Sequence, residues 1–232
     1  MRYIACDASR PYPSGAADPG TDLVPPGTPF GVGAALAIPR HPNALPFDAA
    51  TRRQAVDRWR THRRAGASPT WEQVVAAEAM RILITMLSND PRPHYFHQSN
   101  LVSSQVGESE DGALLCELID AVLDRYRRAV SGMPIAQPTF GEVGDLIRDR
   151  TAWGAACAAG TVTAYREAPG VRIENRSGAG LRVPLTGTVA GSWYGPTRSG
   201  WILAEPGETF IALETTPAAA PDGAELVTGS YG

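Results

Sequence analysis

Residues 91–101 read PRPHYFHQSNL and decide how the first part of the chain is interpreted. A strongly apolar helix pattern runs into this segment, and a polar stretch follows it. Tyr95 and Phe96 favour extended structure, so we predict that the segment forms a short strand between two helices. Alternation along such a strand places His94 on the face opposite Tyr95 and His97. His97 is then the histidine nearest to the end of the strand.

Two other strands are predicted upstream, at about residues 2–6 and 33–38, and polar residues follow each of the three strands. They are Asp7 and Arg10 after the first strand, Arg40 and Asn43 after the second, and His97 and Asn100 within and after the third. In α/β proteins the reacting groups are displayed at the carboxyl ends of parallel strands. The sequence therefore predicts an active-site layout in this part of the chain.

Helices are predicted between and after these strands from apolar residues that recur at a spacing of three and four. Two helix starts, at Thr70 and at Thr139, carry a capping-box pattern, with Gln73 and Glu142 three residues later. From about Gly160 the pattern changes to short alternating segments that glycine and proline turns separate. This change predicts a second, all-β region.

The composition excludes several classes of function. The net charge of the 232 residues is −3, which argues against binding to nucleic acid or to an anionic membrane. The chain has no lysine, so Schiff-base chemistry is excluded. Its cysteines, Cys6, Cys116 and Cys157, are too widely spaced for a zinc motif, and Cys116 is predicted to lie in the core. The first residues read as a strand and lack the pattern of a signal peptide.

Three segments in this order, with a long helix before the last, resemble the carboxyl half of a known enzyme family. They are DASRPY at 7–12, IPRHPN at 38–43 and FHQSNL at 96–101. The family comprises the polysaccharide deacetylases related to the fungal galactosaminogalactan deacetylase, within the NodB-homology group. The resemblance implies an α/β fold with a partial (β/α) barrel in residues 1–157. A small all-β, sandwich-like domain would follow in residues 158–232.

The resemblance also implies a function, namely metal-dependent removal of N-acetyl groups from amino-sugar polymers outside the cell or at the cell envelope. His97 matches the late histidine that protonates the leaving amine, a role that suits an imidazole near neutral pH. Asp7, Arg10, Arg40 and Asn100 would bind the polysaccharide substrate or support the catalytic groups. A divalent, zinc-like metal is expected as cofactor.

The sequence departs from the family pattern in one respect. The metal-binding His-x-x-x-His belongs to the amino-terminal half of these enzymes and does not occur in this sequence. His94 and His97 would face opposite sides of a strand and would not share a metal. We therefore expect the metal ligands to lie outside this chain, which would supply only part of an active site.

Simpler interpretations remain open for each candidate residue. His97 is alternatively a half-buried histidine, Asp7 and Asn100 turn formers, and Arg10 and Arg40 members of surface ion pairs. Aromatic residues of the second region either stack on sugar rings or form the core of a small sandwich. These are Trp193, Tyr194 and Trp201. The whole chain is alternatively a non-catalytic carbohydrate-binding or structural protein derived from the same fold.

Overall fold

The computed structural model describes residues 3–7, 28–29, 35–62, 69–102 and 113–214, with only the backbone of Asp7 and His62. The chain forms two compact units, the first extending to Ser131 and the second beginning at Gly132. Both helices and sheets are present, as the predicted α/β class requires. Among the described strands none closes a barrel. The predicted domain division at residues 157–158 stays a prediction.

The first unit contains a short parallel sheet. Strand β1 (Tyr3–Asp7) pairs with β2 (Leu36–Arg40) in parallel, in a register that sets Asp7 opposite Arg40. The middle of β2 is buried, as expected for a parallel strand that is covered on both faces. The two carboxyl ends therefore lie side by side.

Three helices form the core of the first unit: α1 (Arg52–His62), α2 (Trp71–Leu87) and α3 (Leu114–Ala129). Their buried side chains recur at helical spacing and pack into one apolar cluster. A carboxylate joins the three helices, because Glu117 of α3 accepts hydrogen bonds from the Trp71 indole (2.7 Å) and the Arg52 guanidinium (3.2 Å). None of the described helices is long and apolar enough to cross a lipid bilayer.

The predicted capping box at the start of α2 is confirmed. The Thr70 hydroxyl accepts a hydrogen bond from the Gln73 amide, and the Gln73 side chain accepts one from the Thr70 amide at 2.9 Å. These two bonds satisfy backbone donors that a helix start otherwise leaves without partners.

The strand predicted over residues 94–101 is wrong. The structure has one parallel bridge between His41 and His94, then an irregular segment and a 3-10 helix at Gln98–Leu101. Pro91 and Pro93 lack the N–H groups that a strand ladder needs, and the side chain of Asn100 binds a neighbouring loop instead. Strand propensity at two aromatic residues was therefore outweighed by these local constraints.

The second unit combines one helix with two antiparallel sheets. Helix α4 (Phe140–Ala158) begins at the predicted capping box, where the Thr139 amide donates to Glu142 at 2.6 Å. Six strands follow, in the order β3 (Val162–Glu167), β4 (Gly170–Asn175), β5 (Leu181–Thr186), β6 (Ser192–Tyr194), β7 (Thr197–Ala204) and β8 (Gly207–Ala212). The sheets have the strand orders β3-β4-β8 and β5-β7-β6.

Side chains from both sheets and from α4 share one core in the second unit. The buried members are Ala156, Val162, Ile173, Leu181, Val183 and Ala204. Asn175, at the end of β4, is buried among them and donates hydrogen bonds to the Ala179 and Ala204 carbonyls, each at 2.8 Å. Its side-chain oxygen accepts from the amide and the hydroxyl of Ser177. One amide thus joins β4 to β7 and to the turn before β5.

Candidate functional site

Two of the polar residues predicted at the strand ends, Asp7 and Arg40, are neighbours in the first unit. Asp7 pairs with Arg40, and the next residue along, His41, forms the parallel bridge with His94. Two backbone hydrogen bonds hold this bridge, from the His41 amide to Pro93 at 2.9 Å and from the Tyr95 amide to His41 at 3.1 Å. The segment after α2 therefore continues the parallel order of β1 and β2 by one bridge.

His97 lies at the open side of this arrangement, where it contacts two aromatic rings. Its imidazole is exposed and meets the Tyr95 ring edge to face at 5.8 Å between centroids. Phe47, which is 67% exposed, approaches the same imidazole at 5.9 Å. Arg40 sits on Tyr95, with its guanidinium carbon 5.1 Å from the ring centroid. Tyr95 therefore connects the end of β2 with His97.

Asn100 is completely buried and holds two irregular segments together. Its amide nitrogen donates to the Pro46 and Ala49 carbonyls, each at 3.0 Å, and its oxygen accepts from the His97 amide at 3.3 Å. Both N–H groups of the side chain are used in these contacts. Asn100 consequently fixes the backbone of His97, which fits a positioning role better than direct contact with a substrate.

A second group of charged residues contacts the side chain of His41, one of the two residues of this bridge. The imidazole nitrogen of His41 is 2.9 Å from Asp90, whose carboxylate also accepts hydrogen bonds from Arg92. Burial alone would raise the pKa of Asp90, but the Arg92 hydrogen bonds and the positive charges of Arg92 and His41 lower it to about 2. Asp90 is thus a carboxylate at neutral pH, and it fixes the orientation of the His41 ring.

His94 is the half-buried histidine of this group. Burial lowers its pKa to about 4 and Coulombic repulsion from His41 and Arg81 acts in the same direction, whereas a hydrogen bond to the Pro42 backbone acts against them. Its ring lies 5.1 Å from that of His41, and both of its ring nitrogens are shielded from solvent. His94 is therefore a neutral imidazole near pH 7, on the inner side of the loop that carries His97.

The loop after β2 is held by side chains from two helices. Arg81 of α2 donates to the Pro42 carbonyl at 2.6 Å, and Glu78 of the same helix accepts from the Ala44 amide at 3.0 Å. Trp59 of α1 donates to the Ala44 carbonyl at 2.8 Å. This loop connects Arg40 and His41 to the helical core, so its backbone is fixed although it is neither helix nor strand.

The predicted site residues have different positions in the structure. Arg40, His97 and Asn100 lie in the first unit as described above, and Asp7 is placed through its backbone alone. Arg10 falls outside the described residues. Sequence reasoning missed Asp90 and Arg92, because a polar residue directly after a helix is expected whether or not it binds a distant histidine. The signal available in the sequence was that Asp90 and Arg92 stand on either side of Pro91.

No metal site was assigned to the chain, although the resemblance implies a divalent metal. In the part of the chain that the structure describes, no three His, Cys, Asp or Glu side chains are grouped so that they could hold a metal ion. The described residues therefore do not provide a set of ligands for the expected metal.

Comparison with known proteins supports the fold. A solved structure with a similar fold is the crystal structure of Agd3, a novel carbohydrate deacetylase, with a TM-score of 0.68 and 15% sequence identity. The similarity covers 95% of this chain and 35% of that chain. No protein family and no curated protein sequence matches the chain. The similarity confirms that the fold resembles that of a deacetylase, without testing the details of the partial barrel. The chain spans about a third of the length of Agd3.

Proposed function

We propose that this chain is part of a polysaccharide N-deacetylase, an enzyme that removes acetyl groups from N-acetylated amino-sugar polymers. The observation that carries the proposal is the grouping of polar residues at adjacent strand ends, with the exposed ring of His97 at their open side. The fold shared with a carbohydrate deacetylase supports the same reaction class. A partial barrel followed by a sandwich-like domain is the architecture that we propose for the complete enzyme.

His97 is the general acid in this proposal. Hydrolysis of the amide adds water to the acetyl carbonyl and breaks the bond between carbon and nitrogen, so the sugar nitrogen must gain a proton as it leaves. An imidazole side chain can act as the general acid for this step. The hydrogen bond from the His97 amide to the buried side chain of Asn100 fixes the backbone that carries the acid.

The neighbouring residues bind and orient the sugar in this proposal. The guanidinium of Arg40, held on the Tyr95 ring, is a planar donor for sugar oxygens. Asp7 lies opposite Arg40 in the sheet register and would accept hydrogen bonds from sugar hydroxyls. Arg10 is proposed as a further residue that binds the sugar. Asn100 would act by fixing the backbone of His97 rather than by contacting the substrate. The contact between His41 and Asp90 joins the loop after β2 to the segment that follows α2.

The described residues contain no set of ligands for the divalent metal that the resemblance implies. We therefore assign the metal no ligand and derive no step through it. We propose that the remaining catalytic groups come from residues outside this chain, which spans 35% of the length of Agd3. The extracellular or envelope location of such enzymes belongs to the same proposal.

Release of acetate tests the proposal. N-acetylated glucosamine and galactosamine oligomers would be incubated with the 232-residue protein and with the protein expressed together with the coding segment immediately upstream. We expect acetate only from the longer protein, and a loss of about 10²- to 10⁴-fold in His97→Gln, because glutamine cannot donate a proton as imidazolium does. Cys116→Ser, at an exposed position on α3, is the matched control and should keep full activity.

Two results would contradict this proposal. Unchanged turnover in His97→Gln would remove the acid from its assigned role, and equal acetate release from the shorter protein would show that no outside residues are needed. A non-catalytic carbohydrate-binding role is the second candidate, favoured by the contacts of the exposed Phe47 ring and the half-buried Tyr95 ring with His97. Glycan binding by both proteins without acetate release would support this second role.

A further inference from the structure

The outer face of the sheet β3-β4-β8 carries two half-exposed aromatic rings in one row. In the strand register Tyr165 pairs with Arg172, and Arg172 pairs with Phe210. Tyr165 and Phe210 are each 49% exposed, whereas the opposite face of the same sheet packs Ile173 into the core. One strand separates the two residues, so their Cα atoms lie roughly 10 Å apart.

Ion pairs and a close backbone contact hold this row in place. Arg172 contacts Glu167 and Glu208 at 2.7 Å each, so its guanidinium is fixed between the two rings. The Phe210 ring lies over Gly170, where an added Cβ would be 2.4 Å from the Cζ atom of the ring. The glycine thus allows the ring to lie flat against the sheet. The arrangement is built before any ligand is present.

The same face has an excess of negative charge. Glu174 lies directly opposite Glu208 in the register, and like charges in that position destabilise a sheet. Three carboxylates, those of Glu167, Glu174 and Glu208, face one guanidinium, that of Arg172, so the charge of the row and its neighbours is 1 − 3 = −2. A cation bound beside Glu174 would relieve this repulsion.

We propose that this face binds polymers of amino sugars whose amines are free and protonated. The rings of Tyr165 and Phe210 would stack on sugar rings, and the carboxylates would pair with the ammonium groups. The choice of polymer rests on the proposed function, because such a polymer is the product of N-deacetylation. The face would thus keep the enzyme on material that it has already processed.

Charge favours this occupant over the other candidates. Nucleic acids and anionic membranes carry charge of the same sign as the face, and a second copy of the chain would bring two negative faces together. A neutral N-acetylated glycan could stack on the rings, but it would bring no cation to Glu174 or to the repulsion between Glu174 and Glu208. Free amines are therefore the feature that the face should distinguish.

Calorimetric titration of the full chain tests the proposal. Oligomers of glucosamine and of galactosamine would be compared with their N-acetylated forms of equal length, at a pH at which the amines are protonated. We expect binding of the free-amine oligomers that weakens with added salt, and weaker binding of the acetylated ones. Tyr165→Ala should lower the affinity about two- to fivefold through loss of the ring contact with the cationic sugar.

Glu174→Gln distinguishes a loss of affinity from a loss of stability. It removes one carboxylate from the like-charged pair, so the melting temperature should stay equal or rise while the affinity for free-amine oligomers falls about two- to fivefold. Leu203→Ala is the matched control, because Leu203 is 50% exposed on β7 of the other sheet, and it should bind like the parent protein.

Several outcomes would overturn the inference: no binding, equal binding of free-amine and acetylated oligomers, or unchanged affinity in both Tyr165→Ala and Glu174→Gln. Self-association that Tyr165→Ala abolishes would assign the face to a second copy instead. The acetate assay is independent of these results. Acetate release without selective binding would refute this inference alone, and selective binding without acetate release would refute the proposed activity alone.

Discussion

Each unit contains a buried asparagine whose side chain donates two hydrogen bonds to backbone carbonyls. Comparing the two asparagines shows how differently the units are held together. Asn100 joins the loop after β2 to the segment that carries His97, neither of which is regular structure. Asn175 joins β4 to β7, which already belong to sheets with complete ladders. In the first unit, side-chain hydrogen bonds replace a ladder where the candidate site residues lie, whereas in the second they reinforce one.

The largest expected effect comes from removing these amides. Asn175→Ala and Asn100→Ala should each lower the free energy of unfolding by about 3 kcal/mol, because each removes two hydrogen bonds to backbone carbonyls and leaves at least one N–H without its acceptor. Denaturant unfolding measures the loss. We expect Asn100→Ala also to shift the NMR signals of the His97 ring, since the His97 amide bonds to Asn100.

The matched pair of Asn→Asp variants sharpens this comparison. Aspartate keeps the accepting oxygen but loses the two N–H donors and buries a carboxylate, so both variants should be at least as unstable as the alanine variants. A loss below about 1 kcal/mol at either position would show that the carbonyls around it find other partners.

A smaller effect is expected from pH in the first unit. The pKa of His94 in the folded protein is about 4, below the ordinary value of 6.5, so protonation favours the unfolded chain. Its stabilising contribution is complete above about pH 6.5 and is lost as the pH falls toward 4. His94→Gln should remove about 2 kcal/mol of pH dependence, less than the full pKa difference implies because the ring is partly solvated.

Unfolding curves at a series of pH values measure this contribution. The parent protein should lose stability between pH 6.5 and 4 more steeply than His94→Gln does. Parallel curves for the two proteins would contradict the assignment of His94 as the half-buried neutral histidine.

The smallest effect is expected at the helix starts, where the two units use the same device. Thr70→Ala and Thr139→Ala should each lower stability by about 1 kcal/mol, because each removes the hydroxyl that accepts an amide of the first turn. Thr→Ser at the same positions keeps the hydroxyl and is the control. Thermal melts of the four variants would show whether caps contribute equally in a helical unit and in a unit built mainly of strands.

The local structure of the helices could be predicted from sequence because its signals are local. Both capping boxes and all four described helices were predicted, and the parallel pairing of β1 and β2 agrees with the predicted α/β class. One detail was wrong. Cys116 is exposed rather than in the core, because α3 turns Leu114, Leu118 and Val122 inward. The three-residue strand β6 was not predicted.

The candidate site could be predicted only in part, because its contacts join distant residues. Polar strand ends indicated Arg40 and His97, but the 49 positions between His41 and Asp90 carry no local signal for their hydrogen bond. The burial of Asn100 depends on a loop 51 to 54 residues earlier. Strand propensity at Tyr95 and Phe96 was misleading for the same reason, since tertiary hydrogen bonds determined the backbone there.

Glu78 has a consequence for how related sequences can vary. Its side chain is 3% exposed, and it bonds both the Arg81 guanidinium and the Ala44 amide. Loss of Arg81 alone would leave an uncompensated buried charge, which is far more costly than replacing both partners. Positions 78 and 81 should therefore covary among homologues. Where both become apolar, the turn after β2 should change too, because the Ala44 amide then needs a new acceptor.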